Sequence, residues 1–273
     1  MQVDLKKATL EEFLEHKTLY YDKIDFTIVK SSWDLLSKKI TLPFVIHIVG
    51  TNGKGSTGRF LAHYLHKKDY KVLHYSSPHI MKFNERIWIN GNDVSDENLQ
   101  DAHKFLQELY PIDLLSKLTY FEYTTLLAFY LSKDFDYLVL EAGLGGEFDA
   151  TNVVENNLSL ITTIGLDHQS FLGNTVDEIA ATKMRSVDNK MLIGYQVFDE
   201  VIKTAYKVKE QILEQRNRNI EIIEIKEFEK YNINDKFASY LKRNLHLVIT
   251  CLNELKIDID LTLFDDVKLF GRC

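Results

Sequence analysis

His47–Leu61 reads HIVGTNGKGSTGRFL. Just upstream, Pro43 opens PFVIHIV, an apolar, β-branched run that suits a strand buried on both faces. It runs into Gly50, and STGRFLAHYLHKK follows with Phe60, Leu61, Tyr64 and Leu65 at helical spacing. Strand, glycine loop, helix is the setting of a phosphate-binding loop. Successive glycines let a backbone curl so that several N–H groups point at one anion. The following helix N-terminus adds partial positive charge, and Lys54 supplies a full charge for outer phosphates. The spacing G-x-x-x-x-G-K-[ST] is not met, because Ile48 stands where the first glycine belongs and Gly55 follows the lysine. On these residues alone, a glycine turn with an incidental lysine stays open.

Working outward, the alternation of strands and helices continues. Thr9 with Glu12 forms a capping box before TLEEFLEH, and FTIVKSSWDLLSKK reads as a second helix. KVLHY is a short strand ending at SSPH, and Asn90-Gly91 marks a tight turn within ERIWINGNDVS. SDENLQDAHKFLQEL, capped by Ser95, and FEYTTLLAFYLSK are helical; DYLVLEAG and LSLITTIG are buried strands. Thr175 with Glu178 opens the helix VDEIAATK. NKMLIGY and NIEIIEI read as strands, and residues 199–216 and 236–255 as helices. Helices between buried strands predict right-handed crossovers and an α/β fold: a doubly wound, mostly parallel sheet covered on both faces.

Composition narrows the classes. The 273 residues are 45% hydrophobic and 27% charged, a globular balance that argues against disorder. A net charge of −7 gives no general attraction to nucleic acid or to an anionic membrane. Two cysteines, Cys251 and Cys273, make neither a disulfide framework nor a metal spacing. No signal peptide and no bilayer-spanning apolar run is visible, so the expectation is a soluble, cytoplasmic protein without nucleic-acid or membrane partners, acting as a monomer.

Four polar features fall at the C-terminal ends of the predicted parallel strands, the edge where open α/β sheets bind ligands. They are the Gly50–Ser56 loop, Ser77 in SSPH, Glu141 in EAGLGG and His168 in GLDH. A hydroxyl, a carboxylate and an imidazole on neighbouring strand ends suit Mg²⁺ held against a triphosphate. Each has a plainer reading as a turn residue, a solvated acid or a hydrogen-bonded histidine.

These residues also carry a family likeness. GTNGKGS resembles the ATP loop of the Mur ligase superfamily, in the variant of the folylpolyglutamate and dihydrofolate synthases. SSPHIMKFNERIWING, TYFEYTTLLAF, LEAGLGGEFDATNV and IGLDHQSFLGNTVDEIAATK are similar to four further family segments, in the family's order, so that the five matches span residues 50–183. The resemblance implies that Thr51, Asn52, Gly53, Lys54, Gly55 and Ser56 cradle ATP. It implies that Ser77, Glu141 and His168 are Mg²⁺ ligands, and that Lys183 carries a carbamate. Lys54, Lys183 and His168 are the implied catalytic set. Thr119, Tyr120, Phe121, Glu122, Phe148, Asp149 and Ala150 match positions that hold the pterin. LKRNLHLVITCLNEL is similar to a late family helix in which Asn244 meets the nucleotide, and KLFGRC to a segment in which Arg272 does, with Phe270 replacing a proline. Where the family continues Lys-Ala-Gly after the modified lysine, this chain has Met184 and Arg185.

The implied reaction is ATP-dependent ligation of L-glutamate to dihydropteroate or folates through an acyl phosphate. The partners are therefore small molecules: dihydropteroate or folate, and L-glutamate. The implied organisation is one ATP-binding domain over residues 1–273, with a junction near 268–273 to a second α/β domain absent from this chain. Such a chain is expected to expose apolar surface near residues 255–273. Two other readings stand beside it: an ATP- or pterin-binding module without turnover, and another Mur-type amide ligase.

Overall fold

The computed structural model describes residues 4–18, 25–226, 231 and 233–269. Eight strands form one sheet: β1 (Phe44–Val49), β2 (Val72–Tyr75), β3 (Ile87–Ile89), β4 (Asn92–Asp93), β5 (Tyr137–Glu141), β6 (Leu158–Ile161), β7 (Lys190–Ile193) and β8 (Glu221–Glu224). Their order is β4-β3-β2-β5-β1-β6-β7-β8. The six strands from β2 to β8 in that order are parallel, and β3 and β4 add an antiparallel edge. The edge arises from the Asn90-Gly91 turn, whose φ values of 44° and 104° match the right-handed twist of a two-residue hairpin.

The helices are α1 (Leu10–Glu15), α2 (Phe26–Leu36), α3 (Lys54–Lys67), α4 (Asp96–Leu109), α5 (Ile112–Lys117), α6 (Tyr120–Leu131), α7 (Gln169–Leu172), α8 (Val176–Met184), α9 (Asp199–Arg216) and α10 (Ser239–Glu254). The capping boxes at Thr9 and Thr175 form, and Ser95 caps α4. The helices α5 and α7, each six residues or shorter, have no counterpart in the sequence reading, because so few residues cannot display a helical period. The strand expected over LSLITTIG ends at Ile161; Thr163 instead turns to receive the glycine loop.

The central strand β1 is buried from Val45 to Val49 because both its faces are covered. Ile46 and Ile48 face the core made with α3 and α10. Val45 belongs to a second core with α4 and α6, and Val49 to a third with α8 and α9. His47 lies between Val45 and Val49 on that second face. The chain passes from β1 to β2 on one side of the sheet, then inserts β5 between them and crosses to β6 on the other side. The crevice at the C-terminal end of β1 is thus a switch point in strand order. No helix among the described residues is long and apolar enough to cross a membrane.

The apolar surface expected near residues 255–273 is not found over the described part. Ile257 and Phe264 are buried, and Leu255, Ile259, Leu261, Leu263, Val267 and Leu269 pack partly against the α3–α10 core. The Tyr64 hydroxyl ties this segment down, donating to Asp258 O at 2.7 Å and accepting from Asp260 N at 2.7 Å. Exposed large apolar side chains sit instead at Leu166, Phe171, Val197 and Phe198 in the segments following β6 and β7.

Candidate active site

The glycine loop leaves β1 at Gly50 and is anchored to the neighbouring strand end. Thr51 N and Asn52 N both donate to Thr163 O at 3.0 Å. The Thr51 hydroxyl donates to Gly165 O and accepts from Gly165 N, each at 3.1 Å. Gly53 then takes φ 89°, a conformation that favours glycine, and α3 begins directly at Lys54 with no side-chain cap. The first bonded amide is Thr57 N, which donates to Gly53 O at 2.9 Å. The N–H groups of the turn before it keep no acceptor within the helix, which is the condition for receiving an anion. The Lys54 ammonium folds back on the loop, donating to Gly50 O at 3.1 Å and Thr51 O at 3.4 Å.

Asn244, on α10, closes this loop from the far side. Its amide donates to the buried Ser56 hydroxyl at 2.9 Å, and Ser56 donates to Gly53 O at 3.1 Å. The packing is tight enough that a Cβ on Gly53 would lie 2.8 Å from the Asn244 amide. Thr51, Asn52, Gly53, Lys54, Gly55, Ser56 and Asn244 are therefore one cluster, although Asn244 is remote in sequence. Arg272, with Phe270 and Cys273, lies outside the described residues.

Of the three expected metal ligands, two meet. Ser77 N donates to Glu141 Oε2 at 3.3 Å across the ends of β2 and β5, and Glu141 is buried. His168 takes φ 46° ahead of α7, its side chain is 56% exposed, and its ring lies 3.6 Å from Asp167 Oδ1. Among the described residues no three His, Cys, Asp or Glu side chains gather as a metal cage. Oxygen donors on Ser77 and Glu141 suit Mg²⁺, which keeps waters and binds through one or two carboxylates plus substrate phosphates rather than an all-protein cage.

Lys183 sits at the end of α8, 4% exposed. Burial pushes its ammonium down to about 8, and the positive charge of Lys54 pushes the same way; Asp149 and Asp167 oppose them. Lys183 thus feels the charge of Lys54 in the glycine loop and of Asp149 in the segment after β5. That segment, Ala142–Asp149, is pressed onto α8, since a Cβ on Gly146 would lie 2.5 Å from Lys183 O. Glu147 pairs with Arg185, and Glu147 N donates to Thr182 O at 3.1 Å. Asp149 is buried and its carboxyl is pushed up by desolvation, opposed by hydrogen bonds from Thr151 and Leu144.

The expected pterin residues divide. Thr119 and Glu122 form the capping box of α6, with Thr119 N donating to Glu122 Oε2 at 2.9 Å, so both side chains are committed to the helix start. Tyr120 faces Arg86, whose guanidinium lies 5.1 Å from its ring centre. Phe121 lies on the Gly143 backbone, where a Cβ would come within 2.5 Å of its ring. Phe148 is 54% exposed and packs edge-on with Phe26, ring centres 6.3 Å apart, while Asp149 and Ala150 are buried.

The description Mur ligase middle domain matches residues 48–264. The chain belongs to the Mur ligase family. Dihydrofolate synthase/folylpolyglutamate synthase of Haemophilus influenzae is 40% identical to this chain over 184 residues, covering 65% of this chain and 41% of that protein. The Bacillus subtilis protein of the same name is 43% identical over 146 residues, covering 50% and 33%. The chain thus covers less than half the length of either curated relative. The crystal structure of Helicobacter pylori folylpolyglutamate synthetase is similar at a TM-score of 0.79 and 33% identity, covering 97% of this chain and 67% of that one.

Some residues that shape this site carried no local signal. Thr163 and Gly165 receive the glycine loop, and Gln196 braces them, accepting from Ile164 N at 2.9 Å and donating to Thr162 O at 3.1 Å. A backbone carbonyl acting as acceptor leaves no residue-type signature, which is why Thr163 cannot be read from the sequence.

Proposed function

We propose that this chain is the nucleotide- and pterin-binding part of an ATP-dependent ligase that joins L-glutamate to dihydropteroate or to folates. The observation that carries the reading is the glycine loop, uncapped at the start of α3 and clamped by Thr163 and Asn244 at the switch point of the sheet. The likeness to folylpolyglutamate and dihydrofolate synthases supports the substrate class.

The γ-phosphoryl group of ATP passes to a substrate carboxylate, giving an acyl phosphate and ADP. The glutamate amine attacks the acyl carbon, an amide forms, and phosphate and a proton leave. The amides at the start of α3 bind the triphosphate. Lys54 Nζ leaves Gly50 O and Thr51 O for the outer phosphates and stabilises charge on the transferring group. Ser77, Glu141 and His168 would hold Mg²⁺, which would supply neutralisation of phosphate charge there. Phe121 and Phe148 stack on the pterin, and Asp149 orders the loop between them. Lys183 forms a carbamate with CO₂: its amine, held near 8 by burial, is neutral in roughly a quarter of molecules at pH 7.5, where an ordinary lysine is almost wholly charged. The domain spans the whole chain, and Arg272 adds a nucleotide contact.

The test is ADP release by the purified chain with Mg-ATP and dihydropteroate, with and without L-glutamate. Glutamate-dependent release is the expected result. ATP binding without release would assign the chain a binding role alone, and no ATP binding would remove the loop from the mechanism.

A further inference from the structure

His47 is an imidazole on the central strand, 1% exposed, between two apolar cores. Its Nε2 lies 2.8 Å from the Thr151 hydroxyl. The same hydroxyl lies 2.6 Å from Asp149 Oδ1, which also accepts from Thr151 N at 3.0 Å; Asp149 Oδ2 accepts from Leu144 N at 2.7 Å. Beyond this chain lies Lys183, which feels the charge of Asp149.

The protons along the chain can be assigned by counting donors. Asp149 receives three hydrogen bonds, the environment of a carboxylate. Thr151 has one hydroxyl proton, and it is committed to Asp149. At the contact with His47 the Thr151 oxygen therefore accepts, and Nε2 carries the imidazole proton. His47 Nδ1 has no hydrogen-bond partner. The opposite tautomer would leave a buried N–H there with no acceptor, which costs more than a bare lone pair. Burial, which pushes His47 down to about 4, keeps the ring singly protonated near neutrality.

We propose that His47 is a positioning residue, fixed as the Nε2–H tautomer, which through Thr151 holds Asp149 and the Leu144–Asp149 loop in the geometry that receives the pterin. The loop is also held to α8, where Glu147 N donates to Thr182 O at 3.1 Å and Glu147 pairs with Arg185, and its start is held to β1, where Ala142 N donates to Ile48 O at 3.0 Å. His47 adds a side-chain link from the Asp149 end of that loop to the central strand β1. A loop that carries Phe148 and adjoins Lys183 thereby takes its position from β1, the strand that also launches the nucleotide loop. The pterin part rests on the proposed function; the tautomer and the anchoring do not.

The experiment has two arms. With ¹⁵N-labelled histidine, long-range nitrogen–proton spectra should show His47 with a protonated Nε2 and a bare Nδ1 from pH 6 to 8; a protonated Nδ1 overturns the assignment. Then His47→Phe, which keeps the bulk without the donor, and His47→Gln, which restores an N–H near the Nε2 position, are compared with wild type. His47→Phe should weaken dihydropteroate binding about tenfold, the order expected for one hydrogen bond in a charged network, and leave ATP affinity unchanged. It should also speed exchange of the Leu144 amide, and His47→Gln should recover most of both effects. Wild-type Leu144 protection in His47→Phe overturns the anchoring. If wild type binds no pterin, the proposed substrate is wrong while the spectra and amide exchange still judge the relay. Unchanged pterin affinity beside loosened Leu144 would overturn the pterin-positioning role.

Discussion

Replacing Gly53 by alanine tests how the loop is held, because two separable costs meet at one Cβ. The first is conformational: φ is 89°, where an L-residue is disfavoured by ~1–2 kcal/mol. Part is offset by the smaller unfolded-state entropy of alanine, ~0.4–1 kcal/mol, leaving about 1. The second is steric. The new Cβ would stand 2.8 Å from both Asn244 Nδ2 and Oδ1, closer than such contacts allow. The side chain of Asn244 is the part that can give, and moving it breaks its 2.9 Å bond to Ser56, worth about 1 kcal/mol. Gly53→Ala should therefore destabilise by roughly 2 kcal/mol in urea unfolding. In an Asn244→Ala background the steric part vanishes, and the cost should fall to about 1 kcal/mol, a coupling of about 1 kcal/mol. Calorimetry should show both single variants binding ATP more weakly, since each disturbs the seat of the first-turn amides. An equal cost of Gly53→Ala in both backgrounds would refute the clamp, and no cost in either would refute the strained glycine.

Other perturbations address other parts of the site. Lys54→Ala should weaken Mg-ATP binding by tenfold or more, since Lys54 is the cation of the loop; unchanged affinity would exclude it from phosphate binding. Glu141→Gln and His168→Ala should each reduce the magnesium dependence of nucleotide binding, and identical magnesium titrations in both would reject the assignment. Lys183 has its folded-state pKa below its unfolded value, so the unfolded chain binds the extra proton and stability rises as pH climbs from about 8 to 10.5. In CO₂-free buffer Lys183→Met should lose that rise and gain up to about 3 kcal/mol at pH 7; a wild-type stability that stays flat over the window would contradict a buried ammonium. The His47 ring, lowered to about 4, should cost wild type stability as pH falls from 6.5 towards 4, a loss that His47→Phe should reduce.

Local sequence determined the elements and the kind of site. A β-branched run between Pro43 and Gly50 can only bury as a central strand, and Thr9, Ser95 and Thr175 start helices through their own side chains. Asn90-Gly91 makes a hairpin because both residues accept positive φ. The loop's glycines and Lys54 pointed towards a phosphate loop, with a plain glycine turn left open, for the same reason: the information lies within a few neighbouring residues. What depended on tertiary structure was every relation between segments distant in the chain. Only the strand order brings Thr163 beneath the loop, and only the packing of α10 on α3 carries Asn244 to Gly53 and Ser56. Burial at the end of α8 sets the Lys183 amine near neutrality, and His47 becomes an anchor because Thr151 packs against it. Periodicity and turn chemistry act through neighbours in sequence, whereas desolvation, backbone acceptors and clamping contacts arise only when the sheet assembles its strands.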